Sequence, residues 1–421
     1  MIGDDYVKHI FSSIDIGSDT VKIVVCELYN NKLHLLAASS VKSKGIKKGL
    51  ITNVNDATVS IKEAFNEVES MLGIKIRKVI ASVPSYFAEF TKIVGETKIT
   101  NEDGIVKSDD IVKLFQIAMA GKLKPHQEMV TIIPIDFKLD NAEGISIPLG
   151  LVGSTLKTRA ILATVPRKNI YSVVSILDNI GVEVVDIMLG SIGDIYSFKT
   201  KELDEKIGAV INVGAETTTV SLYNKGIVVK NSIIGLGGKS IDNDIAYMYK
   251  IEPKEAVRIK EKFALAHKKY ASTSDFYEVT DATGEEIKIS QYEVSEIVQS
   301  RIEEILELGR KEINILAGKE IEYIIITGGT SNMAHFEYVA DEIFNKKAFV
   351  GNIKLIGLRD NVYSSSFGNI IYFINKLKLK GKSYTMVSSS DMEDLSSVKK
   401  NTINTSSETM LERVFGYFFG E

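Results

Sequence analysis

The chain has 421 residues, 44% of them hydrophobic and 25% charged, with a formal net charge of −4 and a pI near 5.9. That is length enough for two or three domains with cores of their own, and the acidic balance, with no Lys/Arg stripe interleaved with aromatics, excludes a general nucleic-acid binder. The lone cysteine, Cys26, cannot close an internal disulfide and reads as a buried small hydrophobe in a reducing compartment. No charged-then-apolar leader opens the chain and no apolar run reaches about 18 residues, so the expectation is a cytoplasmic protein.

The first informative stretch is Ile14-Asp15-Ile16-Gly17-Ser18-Asp19-Thr20-Val21-Lys22, between two runs that alternate like strands. Gly17 lets backbone approach a ligand oxygen, Ser18 and Thr20 offer hydroxyls, and Lys22 supplies a point charge. Asp15 would repel phosphate unless Mg²⁺ lay between them. The bland alternative is an ordinary hairpin. A strand over residues 33–37 follows, then a helix over Val54–Leu72 with Val59, Ala64, Phe65, Val68, Met71 and Leu72 at helical spacing, then a strand over 77–83 stopped by Pro84.

Residues 85–164 change texture and read as an inserted α+β module of about 80 residues, large enough to hold a core. It has a strand region over 87–99, a helix over 108–120 begun by a Ser108 cap with two Asp in its first turn, a strand over 130–134, and another over 158–165. A helix over 168–180 and a strand over 182–188 lead out of it.

Then the opening pattern returns. Ile211-Asn212-Val213-Gly214-Ala215-Glu216-Thr217-Thr218-Thr219-Val220-Ser221 repeats the first hairpin, and Leu28-Tyr29-Asn30-Asn31 becomes Leu222-Tyr223-Asn224-Lys225. A duplicated domain with one ligand in the cleft is the economical reading. Ile233 to Ser240 bends through Gly235, Gly237 and Gly238 into helical stretches over 242–249 and 252–267, the latter with Pro253 early. A polar loop over 271–284 precedes a long helix over 293–316. The buried run to Ile326 stops at Thr327-Gly328-Gly329-Thr330, where a glycine pair lets a ligand lie against bare backbone. A final helix over 362–379 carries Phe367-Gly368-Asn369. Residues 383–407 are too polar to bury a core and read as a flexible tether, after which Leu411, Val414, Phe415, Phe418 and Phe419 crowd one side of a short helix.

Three glycine-bearing turns at strand ends, two of them related by repetition, converge on a nucleotide with Mg²⁺. The set resembles the actin/sugar kinase/heat-shock chaperone ATPase superfamily, with residues 15–22 matching phosphate-1, 212–219 phosphate-2 and 327–330 the adenosine motif. Within it the chain resembles the FtsA family of bacterial division proteins, which tie FtsZ filaments to the membrane. The resemblance spans essentially the whole length. It also rests on the insert, on Pro148-Leu149-Gly150-Leu151-Val152-Gly153, on Asp244-Ile245-Ala246, on Phe367-Gly368-Asn369 and on the tethered amphipathic tail.

The resemblance implies an α/β class, a duplicated actin-like (ribonuclease H-like) two-lobed fold with an inserted α+β subdomain, 1C. Subdomain 1A would take residues 1–84, 165–195 and 362–382, and 1C residues 85–164. Subdomain 2A would take 196–239 and 317–361, 2B 240–316, the linker 383–407 and the membrane-targeting helix 408–421. It implies ATP and Mg²⁺ as ligands, with Asp15, Gly17, Ser18, Thr20 and Lys22 around the phosphates and Asp15 serving the metal. Asn212, Gly214, Ala215, Glu216 and Thr217 would stand on the other side, with Gly238, Lys260, Gly328, Gly329 and Thr330 toward the adenosine. Leu411, Val414, Phe415, Phe418 and Phe419 would enter lipid. The implied partners are the FtsZ C-terminal peptide, further copies of the chain, membrane lipid and other division proteins, at the inner face of the cell membrane at the division site.

Three departures stand out. Asn212 replaces the usual acid, Ala215 and Glu216 replace small glycines, and Val257 replaces the Glu three residues before Lys260, leaving Glu255 or Arg258 as substitutes. An Asn amide accepts no proton, and losing a general base costs about 10²–10⁴ in rate. Glu216 beside a polyphosphate must turn to solvent or meet Mg²⁺. The expectation is therefore ATP held as a structural ligand, with weak hydrolysis or none. A sugar-kinase-like phosphotransferase needs a catalytic Asp and leaves the tail without a role. A type IV pilus-type adaptor shares the fold but needs no membrane helix.

Overall fold

The computed structural model describes residues 8–388 apart from 319, together with 390–392 and 395. β1 (His9–Ile16) and β2 (Thr20–Tyr29) pair antiparallel with Asp15 opposite Lys22, and β3 (Lys32–Lys42) pairs with β2. A small hairpin, β4 (Ile46–Lys47) and β5 (Leu50–Ile51), leads to α1 (Val54–Leu72). The Asn53 side chain accepts from the N–H groups of Asn55 and Asp56, satisfying two of α1's orphan donors, and left-handed Gly73 ends it. Ala57, Ile61, Ala64, Phe65 and Val68 face the core. Val59 and Met71, also named at helical spacing, are exposed: Val59 lies two residues from Ala57, on the opposite side of the helix, and Met71 sits in the last turn.

β6 (Lys78–Val83) runs parallel to β1. Then come β7 (Glu89–Lys98), α2 (Ser108–Met119), β8 (Gln127–Leu139), β9 (Ala142–Ile145) and β10 (Thr155–Pro166). These strands form a separate sheet ordered β7-β10-β8-β9. α2 lies over it so closely that a β-carbon on Gly95 would sit 2.8 Å from that of Ala118. Ser108 is the first helical residue and not the cap. Lys107 holds that place, its N–H donating to Asp110 Oδ2 at 2.9 Å. After α3 (Arg167–Asn179), β11 (Glu183–Leu189) returns to pair with β6, and α4 (Gly190–Phe198) crosses to the second half.

That half holds β12 (Ile207–Val213), β13 (Thr218–Asn224), β14 (Ile227–Ile234), α5 (Gly238–Tyr249) and α6 (Pro253–Lys262). α6 stops five residues short of the expected 267, where the Ile259 carbonyl takes the N–H groups of both Phe263 and Ala264. Inside the stretch read as a loop lies β15 (Phe276–Thr280), paired with β16 (Glu286–Ser290); its partly buried Tyr277 and Val279 alternate with exposed Phe276, Glu278 and Thr280. α7 (Gln291–Ala317), β17 (Tyr323–Thr327), α8 (Phe336–Phe344), β18 (Ala348–Val350) and α9 (Ser364–Leu379) complete the described elements.

The two large sheets have one topology: β11-β6-β1-β2-β3 in the first lobe, β18-β17-β12-β13-β14 in the second, in each case an antiparallel three-strand meander followed by two parallel strands. The hairpin repeat is thus the visible edge of a whole-lobe repeat. One core runs from the first lobe through α4 and α9 onto Val210, Tyr223, Val228, Tyr323 and Ile325 of the second lobe's sheet, and a second core fills that sheet's other face. At that crossing a β-carbon on Gly368 would lie 1.7 Å from the Gly193 carbonyl oxygen, so both positions must be glycine for the helices to meet.

The start of the stretch expected to be a flexible tether from residue 383 is docked on the first lobe. Met386 N–H donates to the Ile10 carbonyl at 2.9 Å, Thr385 Oγ1 accepts from Ile10 N–H at 3.0 Å, and Met386 and Val387 are buried against the first lobe. Those two apolar residues supply what the polar composition around them masked. Leu411, Val414, Phe415, Phe418 and Phe419, expected to enter lipid, lie outside the described residues, and among the described residues no helix is long and apolar enough to cross a membrane.

Candidate functional site

The two hairpin turns face each other across a cleft of about 530 Å³, a size that suits a nucleotide-sized ligand. They are built alike: Gly17 N–H donates to the Thr20 carbonyl at 3.0 Å, and Gly214 N–H to the Thr217 carbonyl at 3.0 Å. A β-carbon on Gly17 would lie 2.9 Å from Lys22 Nζ, and one on Gly214 2.9 Å from the Thr217 oxygen. Lys22 does not stand free, because its Nζ is 2.6 Å from Asp15 Oδ2 with both side chains largely shielded. The second turn is steadied from α5, whose first N–H groups, on Gly238 and Lys239, donate to the Gly214 and Ala215 carbonyls at 2.9 and 2.7 Å. Thr330 Oγ1 reaches the Gly214 carbonyl as well, at 3.2 Å. Gly328, at φ +92, turns β17 away where a β-carbon would sit 2.5 Å from Asn212 Oδ1. Only glycine tolerates both conditions.

Asp15, Gly17, Ser18, Thr20, Lys22, Asn212, Gly214, Ala215, Thr217, Gly238, Lys260, Gly328, Gly329 and Thr330 all line this cleft. Glu216 does not. Its carboxylate, read as turning to solvent or to Mg²⁺, does neither: Oε1 is 2.8 Å from Lys239 Nζ and Oε2 accepts the Lys48 N–H at 2.6 Å. Burial works to raise the Glu216 carboxyl, but Lys239 and the Lys48 N–H outweigh it and hold it below the usual range. Glu255 and Arg258 pair with each other and line no part of the cleft, whose wall there is Pro253, Val257 and Glu261.

Two acids escaped the sequence reading. Asp194, on α4, is 2% exposed and lines the floor of the cleft. Its Oδ1 accepts from Ser364 Oγ and Ser365 Oγ at 2.7 and 2.8 Å, and its Oδ2 from Asn212 Nδ2 at 2.9 Å. Burial pushes its carboxyl up to about 6 against the pull of those three donors, with Asp15 adding a little. So the acid absent at Asn212 is present beside it, held by three donors drawn from both lobes. Asp242, one turn into α5, pairs with Lys260 Nζ at 2.7 Å, and burial raises its carboxyl although Lys260 opposes the shift. Neither sits in a glycine-bearing turn, the only signal the sequence offered. Lys48 and Gly49 also line the cleft, and Gly45 and Gly49 bracketing two lysines marked a tight turn that went unread.

The lobe repeat, the shared cleft and the helix crossing define an actin-like fold. Solved structures agree. The chain superposes on a PilM-PilN type IV pilus biogenesis complex with a TM-score of 0.58 at 13% identity, covering 86% of this chain and 98% of that one. MreB5 of Spiroplasma citri bound to ADP gives 0.54 at 15% identity, covering 87% and 98%. Family models narrow the class: one described as cell division protein FtsA matches residues 209–368, and one described as the SHS2 domain inserted in FTSA matches residues 89–164. FtsA of Bacillus subtilis (strain 168) is 26% identical over 378 residues, 89% of this chain and 86% of the relative. FtsA of Streptococcus pneumoniae is 27% identical over 355 residues, 84% and 78%. The chain belongs to the FtsA family of cell-division proteins.

Proposed function

We propose that this division protein holds ATP with Mg²⁺ in the cleft as a structural ligand, hydrolysing it slowly or not at all. In that bound form it polymerises on the inner face of the cell membrane at the division site. Residues 408–421 attach it there, and residues 240–316 take the FtsZ C-terminal peptide. The observation that carries the nucleotide reading is the pair of like-built turns, each closed by a glycine N–H and facing the other across one cleft. The residues present fit such a ligand. Gly17, Gly214, Gly238 and Gly328 leave bare backbone where a side chain would collide, and Asp15 offers one carboxylate, enough for a cation that keeps several waters and binds phosphate oxygens. Bound Mg²⁺ would screen phosphate charge from Asp15.

The expectation of weak hydrolysis follows from what the floor can do with a proton. Asn212 is neutral, and its amide is committed to Asp194. Asp194 is buried and three of its acceptor sites are taken by Ser364, Ser365 and Asn212, which limits what it can offer an attacking water. On the partner side, α5 presents Tyr247, 88% exposed, and Met248, 62% exposed, an apolar offering for a short peptide. Pull-down with an immobilised FtsZ C-terminal peptide tests that assignment. Capture of the full chain, lost on Tyr247→Glu, supports it; equal capture of both proteins, or none of either, removes it.

A further inference from the structure

Hairpin β4–β5 turns at Lys48 and Gly49, both on the left-handed side at φ +48 and +76. A non-glycine residue there costs about 1–2 kcal/mol and persists where its surroundings over-determine it. Here the turn is held at two points. Gly49 N–H donates to Ser18 Oγ, in the first hairpin turn, at 2.7 Å. Lys48 N–H donates to Glu216 Oε2, in the second hairpin turn, at 2.6 Å, while Glu216 Oε1 meets Lys239 Nζ on α5 at 2.8 Å. One short turn therefore joins the two halves of the duplicated site, and the join at Glu216 crosses from lobe to lobe. The carboxylate is well placed for this, being 14% exposed and accepting one backbone and one charged donor. Tyr86, on the same rim, has its phenol raised by burial and by the Glu216 charge. The consequence reaches the cleft through Ser18: with its oxygen accepting from Gly49, its own proton is left to donate into the cleft it lines.

We propose that Glu216 is a positioning residue: its carboxylate latches the Lys48–Gly49 turn of the first lobe to Lys239 of the second, and this latch sets how fast a bound nucleoside diphosphate escapes. The proposal rests on the nucleotide reading of the cleft. It also gives the Glu in the second turn a task that needs no contact with phosphate.

The test uses the full chain as wild type, Glu216→Ala, Glu216→Gln and Lys239→Met, with two readouts. The first is amide hydrogen exchange at Lys48 and Gly49 without ligand. Exchange accelerates about tenfold or more in Glu216→Ala and less in Glu216→Gln and Lys239→Met, which keep an acceptor for Lys48 and lose only the ion pair. The second is stopped-flow release of a fluorescent N-methylanthraniloyl ADP with Mg²⁺, about tenfold faster in Glu216→Ala. Unchanged exchange in Glu216→Ala overturns the latch, as does faster exchange with wild-type release. If wild type binds no ADP analogue at all, the nucleotide reading and the release half fall together, and exchange alone decides whether the lobes are latched. Should Glu216→Ala misfold, Lys239→Met carries both readouts.

Discussion

The helix crossing offers a sharp test of how the two lobes are joined. In Gly368→Ala the added methyl would start 1.7 Å from the Gly193 oxygen, 2.5 Å from its carbonyl carbon and 2.9 Å from its Cα. All three are backbone atoms, so no side chain can rotate away. Relief requires α4 and α9 to separate by roughly 1.5 Å to reach an ordinary carbon–oxygen contact. Overpacking of this kind costs about 1–3 kcal/mol, and backbone-on-backbone contact puts this case at about 3. The separation also strains the cluster that spans the crossing, since Asp194 belongs to α4 while Ser364 and Ser365 open α9. Urea unfolding of wild type and Gly368→Ala, followed by circular dichroism and near-ultraviolet signals together, measures the loss. The reasoning predicts a midpoint lowered by about 1 M at an m-value of about 3 kcal/mol/M. A midpoint within 0.1 M of wild type would refute it, because no arrangement of the crossing accommodates that methyl without movement.

Further outcomes follow from single groups. Asp194 is raised by burial to about 6, so the folded state binds a proton more readily than the unfolded chain between the ordinary aspartate range and pH 6. Stability from this group is greatest below that window and falls as pH rises through it, and Asp194→Asn flattens that fall. Urea midpoints from pH 4 to 7 that run parallel in the two proteins would contradict the burial argument. Cys26 is fully buried and its thiol is pushed up by desolvation, so Ellman's reagent at pH 8 modifies it only after denaturant is added; prompt reaction of native protein would be the adverse result. A chain ending at Thr405 is expected to lose co-sedimentation with liposomes, and the membrane assignment of residues 408–421 fails if it still sediments. Asp15→Ala removes the partner of Lys22 and the acid proposed for Mg²⁺, so ADP binding in that variant loses its dependence on Mg²⁺, read by titration with and without EDTA.

The turns were legible because their chemistry is local. A glycine, a hydroxyl and an acid within eight residues announce themselves, and the repeat at Asn212 gave the first copy its meaning. The strand order shared by the two lobes extends that repeat beyond the hairpins. What stayed hidden depends on distant parts of the chain. Asp194 is one acid on a helix with no pattern around it, and it becomes a cleft residue only when α9 and β12 bring Ser364, Ser365 and Asn212 against it. Glu216 was misread for the same reason, since the Lys48 N–H it takes is 168 residues away in sequence. The hairpin at Phe276–Thr280 was lost in polar residues because a strand with one wet face carries few apolar positions.

Whether the cleft keeps its nucleotide is read by incubating the full chain with radiolabelled ATP and Mg²⁺, isolating the complex and identifying what is bound. About one nucleotide per chain is expected, recovered mainly as ATP after many minutes. No bound nucleotide, or rapid phosphate release that Asp15→Ala abolishes, would contradict it.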